Sequence, residues 1–238
     1  HLPLGTDMYI GRAMCHRAVK YEAAMVFPDM IFTQILEAQH CSGTIAIDPE
    51  VILLLINNVI REIARNGFKK IILVNAHGGN NALLTFLTQI QMRAQLHAQS
   101  DIVLYAWNPQ TLPEDREATQ ALWDTTVDGH AGEKETSAIM AIRPDLVKRA
   151  ELRSDGEGMP LGRLNALRAA GLTTGIWWYA DHPTHYRGDG VPATAEKGER
   201  YLDAVARSLA HCIQLVKQDT VSPQLQAEFM AAANGHAI

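Results

Sequence analysis

The pattern of apolar positions along the chain predicts short β-strands separated by longer helices. Three runs, at 44–48, 69–75 and 101–107, have the length and the β-branched composition of strands. The second of them contains a continuous apolar stretch, which is typical of a strand covered on both faces. Strands that alternate with longer helices indicate parallel pairing and right-handed crossovers. The sequence therefore predicts an α/β fold with a mainly parallel central sheet.

Local signals mark where the helices begin and end. Asp48 followed by Pro49 predicts a helix start, because aspartate caps helix N-termini and proline favours the first helical position. Asn66 and Gly67 supply a left-handed stop for the same helix. The C-terminal tail is predicted to form a peripheral helix. Apart from this tail helix, the predicted helices cover 48–66, 80 to about 99, 133–142 and 194–217. The predicted long loops cover 109–128 and 156–190.

Composition places the chain among single-domain globular proteins. Its 238 residues are 47% hydrophobic and 20% charged, which excludes a disordered tail and a coiled coil. A formal net charge of −5 argues against a nucleic-acid surface, where a clustered basic face is expected. The longest apolar stretch, at 51–56, is far shorter than the roughly 20 residues that a membrane span needs. We therefore expect a soluble protein whose partner is neither nucleic acid nor membrane.

Cysteine usage excludes two further classes of protein. Cys15, Cys41 and Cys212 are widely spaced, odd in number and form no C-x-x-C pair. Neither a disulfide framework nor a thiolate zinc site is therefore predicted. A reducing, cytoplasmic location is the simplest interpretation.

The segment N-A-H-G-G-N stands at the carboxyl end of a predicted strand, where open α/β sheets bind their ligands. Gly78 and Gly79 after His77 permit a close backbone approach and leave N–H groups at a helix start. A tight turn in which the histidine caps or packs is an equally good interpretation. A phosphate loop is a third, although the P-loop lysine and the G-x-G-x-x-G spacing are absent.

A second segment, D-G-H-A-G-E-K-E-T-S, places His130 directly before a predicted helix. Glu133 and Glu135 point about 200° apart on that helix, so only one of them faces the site that His130 addresses. Glu133 is interpreted as a first-turn acidic residue that satisfies the helix dipole. Glu135 shares its face with the apolar Ile139 and Ile142, and a carboxylate that heads an apolar stripe is buried and needs a cation.

A third segment, L-P-L-G-T-D, ends at Asp7, which taken alone is best explained as the cap of a helix beginning near Met8. Together the three segments supply aspartate, histidine and glutamate near strand ends. Oxygen and imidazole donors of this kind suit Zn²⁺ or Mn²⁺ rather than softer metals. The sequence is therefore compatible with a divalent metal site.

Aromatic and histidine residues elsewhere offer further candidates. His182 and His185 could add ligands or belong to a lid, although two histidines around a proline are more typical of a surface loop. Trp178, just upstream, is a candidate for lining a substrate pocket, although aromatics at a strand end more often belong to the core. The remaining histidines are interpreted as structural: His16, His40, His97, His211 and His236.

Four segments in this order and spacing resemble the creatininase (creatinine amidohydrolase) family: H-L-P-L-G-T-D, V-N-A-H-G-G-N, D-G-H-A-G-E-K-E-T-S and A-T-A-E-K-G. The resemblance implies a three-layer α/β/α sandwich, often a homohexamer. It also implies two divalent ions, which are Zn, Mn or one of each, with Fe as a further choice, at a site that hydrolyses non-peptide C–N bonds, commonly in cyclic amides. Carried over by motif position, Asp7 bridges the ions, and His77 and Glu135 each bind one of them. His130 then lies on the substrate side.

The resemblance also implies residues upstream of the printed chain. Family members carry E-x-H-G directly before H-L-P, and that glutamate and histidine are metal ligands. His1 is the histidine of H-L-P, so the printed sequence begins inside this motif. We therefore expect a single domain over 1–238 that lacks an N-terminal strand and two ligands upstream.

Two departures from the family pattern indicate a diverged member. Creatininase itself has a glutamate two residues after the motif histidine, where this chain has Gly79. The family segment S-x-E-H-x-x-F-P-G-T corresponds to 35–44, and only Glu37, Gly43 and Thr44 are retained. The departures predict a rebuilt pocket and a substrate other than creatinine.

The resulting prediction is a metal-dependent amidohydrolase of a small-molecule amide, in which an activated water attacks the carbonyl. His130 is expected to stabilise the oxyanion or pass a proton to the leaving nitrogen. Gly78 and Gly79 are expected to add backbone donors, and Trp178 to line the substrate. The alternatives are a non-catalytic scaffold or ligand-binding subunit of the same fold, and a phosphate- or nucleotide-binding domain.

Overall fold

A computed structural model of the chain describes residues 1–98, 101–153 and 156–235, and for 94–98 it describes the backbone only. The predicted helix end near residue 99 therefore lies outside the described residues. Helices surround a small central sheet. These helices are α1 (Thr6–Tyr21), α2 (Pro49–Arg65), α3 (Asn81–Ala98), α4 (Arg116–Gln120), α5 (Glu133–Ile142), α6 (Asn165–Ala169), α7 (Trp177–Asp181), α8 (Ala195–Gln218) and α9 (Val221–Ala233).

Two strands, β1 (Lys70–Val74) and β2 (Val103–Trp107), pair in parallel along their full length. The connection between them runs through α3 and is therefore a βαβ crossover. The pairing continues past the end of β1, because the backbone N–H of Asn75 donates to the Trp107 carbonyl at 2.9 Å. The carboxyl ends of both strands thus lie together, at the point where the His77 turn begins.

Alternate side chains of β1 face two separate apolar cores. Ile72 and Val74 pack against a core formed mainly by α1, α5 and α8, whereas Ile71 and Leu73 pack against a core formed mainly by α2 and α3. Successive strand residues point to opposite faces, so helices cover the sheet on both sides. The predicted α/β fold and its three-layer arrangement are confirmed.

The predicted strand at 44–48 is wrong. This segment is irregular, and among the described residues the sheet contains only β1 and β2. Thr44 forms local turn contacts instead, since its hydroxyl donates to the Ala38 carbonyl at 2.9 Å and its N–H donates to the Cys41 carbonyl at 3.3 Å. A β-branched run becomes a strand only where a neighbouring strand supplies its hydrogen bonds.

Helix α2 begins and ends where the local signals predict. Asp48 flanks its start, Pro49 is its first residue and Asn66 follows its last. Gly67 has a φ of 96°, the left-handed conformation that the predicted stop requires. The Asp48 side chain makes no capping hydrogen bond, so the proline provides the stronger start signal here.

The segments predicted as long loops contain short helices. Helix α4 lies within 109–128, and α6 and α7 lie within 156–190. Trp178 therefore belongs to a helix and not to a strand end. The tail forms α9, as predicted. No helix among the described residues is both long enough and apolar enough to cross a membrane.

Candidate active site

The turn after β1 holds His77 at the carboxyl edge of the sheet. Asn75 organises this turn, because its side-chain oxygen accepts the His77 backbone N–H at 3.1 Å. The amide of Asn75 donates to the side-chain oxygens of Asn81 and Asn108, both at 2.9 Å. Asn75 is only 4% exposed, and both its side-chain oxygen and its side-chain amide have hydrogen-bond partners. The network fixes the backbone from which the His77 imidazole projects.

Asp7 contacts His77 directly, although the two residues are far apart in sequence. The Asp7 carboxylate lies 3.0 Å from Nδ1 of His77. The interpretation of Asp7 as a helix cap is wrong, because α1 begins at Thr6 and Asp7 lies within its first turn. Gly5 precedes the helix with a left-handed φ of 79° and turns the chain into it.

Glu37 contacts the opposite nitrogen of the same imidazole ring. Its Oε1 lies 2.8 Å from Nε2 of His77. Gln34 donates to the second oxygen of Glu37 at 2.8 Å and to the Gly79 carbonyl at 3.0 Å, so the Glu37 carboxylate is held on both sides. Sequence reasoning assigns Glu37 no role, since only its retention in a family motif marks it.

The two carboxylates determine the charge of His77. Burial alone would lower the pKa of His77, but the hydrogen bonds and charges of Asp7 and Glu37 outweigh it and raise the pKa to about 10. Burial likewise opposes ionisation of Glu37, yet the hydrogen bond to His77 dominates among the lowering contributions and brings its pKa to about 2. Without a bound cation, the ring is therefore a protonated imidazolium between two carboxylates.

Glu135, on α5, supplies a third carboxyl group to the centre. It accepts the backbone N–H of Ala131 at 2.7 Å. Burial and then the negative charge of Asp7 raise the pKa of Glu135 well above its usual range, while His77 acts in the opposite direction. Glu135 and Asp7 are therefore close enough to repel each other, which a cation would relieve.

The donor set fits a divalent metal ion in its chemistry. Asp7 and His77 are in contact and offer one oxygen and one nitrogen, and Glu135 adds a buried carboxylate whose pKa is raised. Within the described ranges, however, no group of three or more histidine, cysteine, aspartate and glutamate side chains is gathered closely enough to hold an ion. The centre thus provides two adjacent donors and a third nearby.

His130 lies beside this centre in a strained backbone bridge. Its backbone exchanges two hydrogen bonds with Arg187, both at 3.0 Å. Ala131 and His185, which flank the bridge, have left-handed φ values of 55° and 67°. Strain of this kind in non-glycine residues is retained mainly at functional sites. Burial, followed by the nearby His185, lowers the pKa of His130 to about 4, so its ring is neutral at neutral pH.

Trp178 is buried on α7 and contacts the histidines of the following segment. Its indole N–H donates to Nδ1 of His185 at 2.7 Å, and its ring lies 4.7 Å from that of His182. The rings of His130 and His185 are 3.9 Å apart. Trp178 thus lies close to His130, in the region where sequence reasoning expects substrate.

The other histidines lie away from the centre or beside its rim. His40 packs edge-on against Tyr179 at 4.8 Å and contacts the Pro183 carbonyl at 3.0 Å, and its ring lies 6.3 Å from that of His185. His16 and His211 are exposed. The side chain of His97 and all of His236 lie outside the described residues.

Glu133 is more than a first-turn acid that satisfies a helix dipole. It is fully buried and accepts the backbone N–H of Thr125 at 2.9 Å and that of Asp124 at 3.0 Å. Its carboxylate also forms an ion pair with Lys197 of α8. The sequence-based interpretation missed this role, because Lys197 approaches from a helix that is distant in sequence. Glu133 therefore ties α5 to α8 and to the preceding loop.

The two glycines after His77 differ sharply in their surroundings. A Cβ at Gly79 would lie 2.4 Å from both Oε1 of Glu37 and Nε2 of His77, and 2.5 Å from Nε2 of Gln34. A Cβ at Gly78 would meet nothing within 4 Å. Gly79 therefore leaves the space in which Glu37 reaches His77.

Comparison with known proteins gives a consistent family assignment. The family model described as creatinine amidohydrolase matches residues 1–213. A creatinine amidohydrolase of Pseudomonas putida is 26% identical over 163 residues, covering 62% of this chain and 60% of that protein. The chain thus spans less than two thirds of that relative. A mycofactocin precursor peptide peptidase of Mycolicibacterium smegmatis is 28% identical over 226 residues, covering 92% of this chain and 81% of that protein.

Solved structures agree at the level of the fold. A structure of creatinine amidohydrolase (creatininase) superimposes with a TM-score of 0.73 at 21% identity, covering 90% of this chain and 83% of that one. Other creatininase structures in the same comparison include an Mn form and a Zn-Zn form of a mutant. From the match over residues 1–213 we conclude that the chain belongs to the creatininase family.

Proposed function

We propose that this chain is a metal-dependent hydrolase of an amide C–N bond in a small molecule. One observation carries the proposal: Asp7 and His77 are in contact, Glu135 lies near them, and a neutral His130 lies beside this group at the carboxyl edge of the sheet. That edge is where α/β folds commonly bind their ligands. Family membership adds support, because the names of its relatives are those of amidohydrolases and peptidases.

Asp7, His77 and Glu135 are the residues that would hold the ions, with Zn²⁺ or Mn²⁺ as the first choice and Fe²⁺ as the next. The Mn and Zn forms of creatininase support that choice. When bound, the ions polarise the substrate carbonyl and lower the pKa of water towards about 7. Glu37 fixes the direction of the His77 ring by accepting from Nε2, which leaves Nδ1 on the side of Asp7.

His130 handles the proton in this proposal. Its lowered pKa keeps the ring neutral at pH 7, so one ring nitrogen offers a lone pair. That nitrogen accepts a proton from the attacking water and then donates it to the departing amide nitrogen. The imidazolium formed in this way is the acid that protonates the departing nitrogen.

The substrate is proposed to be a cyclic amide, with the backbone N–H groups of Gly78 and Gly79 as donors to its carbonyl oxygen and Trp178 as an aromatic wall. A second candidate is an amide within a peptide. The similarity to the mycofactocin precursor peptide peptidase over 92% of the chain favours it, because the creatinine amidohydrolase matches over only 62%.

Self-association and location complete the proposal. We infer a homo-oligomer in the cytoplasm, with a hexamer as the form that family membership suggests. Helix α2 exposes Val51, Leu54 and Leu55, with exposed fractions of 51%, 62% and 40%. Clustered apolar side chains of this kind on a surface are typical of interaction sites.

The proposed function is tested by hydrolysis assays on hydantoin, creatinine and a short peptide amide. We expect EDTA to abolish hydrolysis of at least one of them, and added Zn²⁺ or Mn²⁺ to restore it. His130→Gln should lower the rate by about 100-fold or more, whereas the exposed His211→Gln should match the wild type. Hydrolysis that resists chelation contradicts the proposal, and a metal-free protein inactive on every substrate supports a non-catalytic scaffold.

A further inference from the structure

We propose that His185 is a second hydrogen-bond donor of the active site and that Trp178 is the positioning residue that sets its tautomer. The inference rests on the proposed function. In that reaction His130 transfers the proton, and His185 stabilises the oxygen of the attacked amide. The contact between Trp178 and His185 also bears on whether His185 is a metal ligand.

The contact between Trp178 and His185 determines where the imidazole proton lies. An indole N–H can only donate, and it donates to Nδ1 of His185 at 2.7 Å. The lone pair of Nδ1 is therefore occupied, and the proton of the neutral ring lies on Nε2. His185 in this state presents one N–H donor, at Nε2, and no free lone pair.

This tautomer argues against His185 as a metal ligand. A metal bound at Nε2 would require the ring proton to move to Nδ1. Nδ1–H would then face the indole N–H of Trp178, and two hydrogen-bond donors in contact cannot bond to each other. Burial of a polar group without a partner is unfavourable, so the Trp178 contact selects the donor form.

The donor lies at the centre that handles the amide. The His185 ring is 3.9 Å from the His130 ring and tilted by 48° to it. Burial lowers the pKa of His185 overall, and the charges of Glu37 and His77 also influence it, which indicates that His185 lies near both. Two neutral imidazoles in contact can have different roles. His130 accepts and returns a proton, whereas His185 donates a hydrogen bond and retains its proton.

The short helix that carries Trp178 is fixed in position. Arg163 donates to the carbonyls of Tyr179 and Ala180 at the end of α7, and Arg168 pairs with Asp181 at 2.6 Å. His185 itself adopts a left-handed φ of 67°, which a non-glycine residue retains only when its surroundings fix it. The donor is therefore preorganised, as stabilisation of a developing negative charge requires.

In the proposed reaction His185 forms no covalent bond and transfers no proton. Its Nε2–H donates to the carbonyl oxygen as the negative charge grows on that oxygen, and the proton remains on His185. Donors already aimed at this position stabilise the transition state more than the ground state.

The tautomer is tested first, by ¹⁵N NMR of histidine-labelled, metal-free protein. We expect His185 to be the Nε2–H form in the wild type and a mixture of tautomers in Trp178→Phe, which keeps an aromatic ring but loses the indole N–H. Trp177→Phe is the matched control, because it makes the same change at the adjacent, exposed residue and should leave the His185 signals unchanged. An Nδ1–H form in the wild type overturns the proposal.

The donor role is tested with Zn²⁺ alone and with inorganic phosphate as a tetrahedral anion. We expect Zn²⁺ affinity to change less than about twofold in His185→Gln and His185→Ala, since His185 is not a ligand. Phosphate affinity of the Zn-loaded protein should fall about tenfold in His185→Ala and Trp178→Phe, and recover in part in His185→Gln, whose amide retains a donor.

The possible failures are distinguishable. A wild-type protein that binds no Zn²⁺ contradicts the proposed function, while the tautomer measured on metal-free protein still decides the role of Trp178. A large loss of Zn²⁺ affinity in both His185 variants makes His185 a ligand and overturns the inference alone. Equal phosphate affinity in the wild type, His185→Ala and Trp178→Phe also overturns the inference and leaves the proposed function intact.

Discussion

Replacing Gly79 by alanine is expected to break the contact between Glu37 and His77, while the same change at Gly78 is expected to be harmless. The added Cβ at Gly79 would lie 2.4 Å from Oε1 of Glu37 and from Nε2 of His77, well inside van der Waals contact. Glu37 and Gln34 have long side chains that can swing aside. The His77 ring cannot follow them without losing Asp7.

The magnitude follows from the interactions at stake. Loss of a hydrogen bond between charged groups costs about 1.5–3 kcal/mol. Gly→Ala at a compatible position stabilises a protein by about 0.4–1 kcal/mol, because the unfolded chain loses freedom. Gly79→Ala should therefore lower the free energy of unfolding by about 1–2 kcal/mol, and Gly78→Ala should raise it slightly. For a chain of this length, the two melting temperatures should differ by roughly 3–12 °C.

Thermal denaturation of the metal-free variants measures the difference, and a Zn²⁺ titration measures its consequence for the centre. Displacement of Glu37 should weaken Zn²⁺ binding by Gly79→Ala about 10–100-fold, because the imidazole loses its orienting carboxylate. Gly78→Ala should bind like the wild type. If both variants melt within about 1 °C of each other and bind Zn²⁺ equally, the contact between Glu37 and His77 does not organise the site.

Two further predictions concern the buried charges and the pH dependence. Lys197→Met leaves the buried Glu133 without its cation and should lower the free energy of unfolding, measured in urea, by about 3–5 kcal/mol. The same change at the exposed Lys20 should alter the free energy of unfolding little. A loss below about 1 kcal/mol in Lys197→Met would contradict the anchoring role of the ion pair. The folded pKa of His130 is about 4 and the ordinary value is 6.5, so the unfolded chain takes up this proton first as the pH falls. Metal-free wild type should therefore lose stability relative to His130→Gln between about pH 6.5 and pH 4, and parallel stability profiles would refute this.

Local signals were sufficient for the longer helices α2, α3, α5, α8 and α9 and for two strands, but they missed the short helices α4, α6 and α7. Pro49 and Gly67 bound α2 because a fixed φ and a left-handed φ are properties of single residues. The segment at 44–48 has the same β-branched character as the true strands, yet it stays irregular among the described residues, where the sheet comprises β1 and β2. Strand formation depends on a neighbour, which no local pattern encodes.

The site shows the same division between local and distant information. Helical periodicity places Glu135 on the face of Ile139, but it cannot reveal that α8 covers the opposite face and buries Glu133 against Lys197. Glu37 lies in a segment without regular periodicity, and its contact with His77 is made by tertiary folding. Motif resemblance groups Asp7 with His77, whose side chains are in contact, because it carries information about the folded family that spacing lacks.

The most direct test of the proposed metal centre is the metal content of the purified protein. Mass spectrometry should find two equivalents of Zn or Mn in the wild type, and clearly less in Asp7→Ala and in Glu135→Gln. Glu50→Gln, an exposed first-turn glutamate of α2, should retain the wild-type content. Full metal content in both Asp7→Ala and Glu135→Gln would contradict the assignment of these residues as ligands.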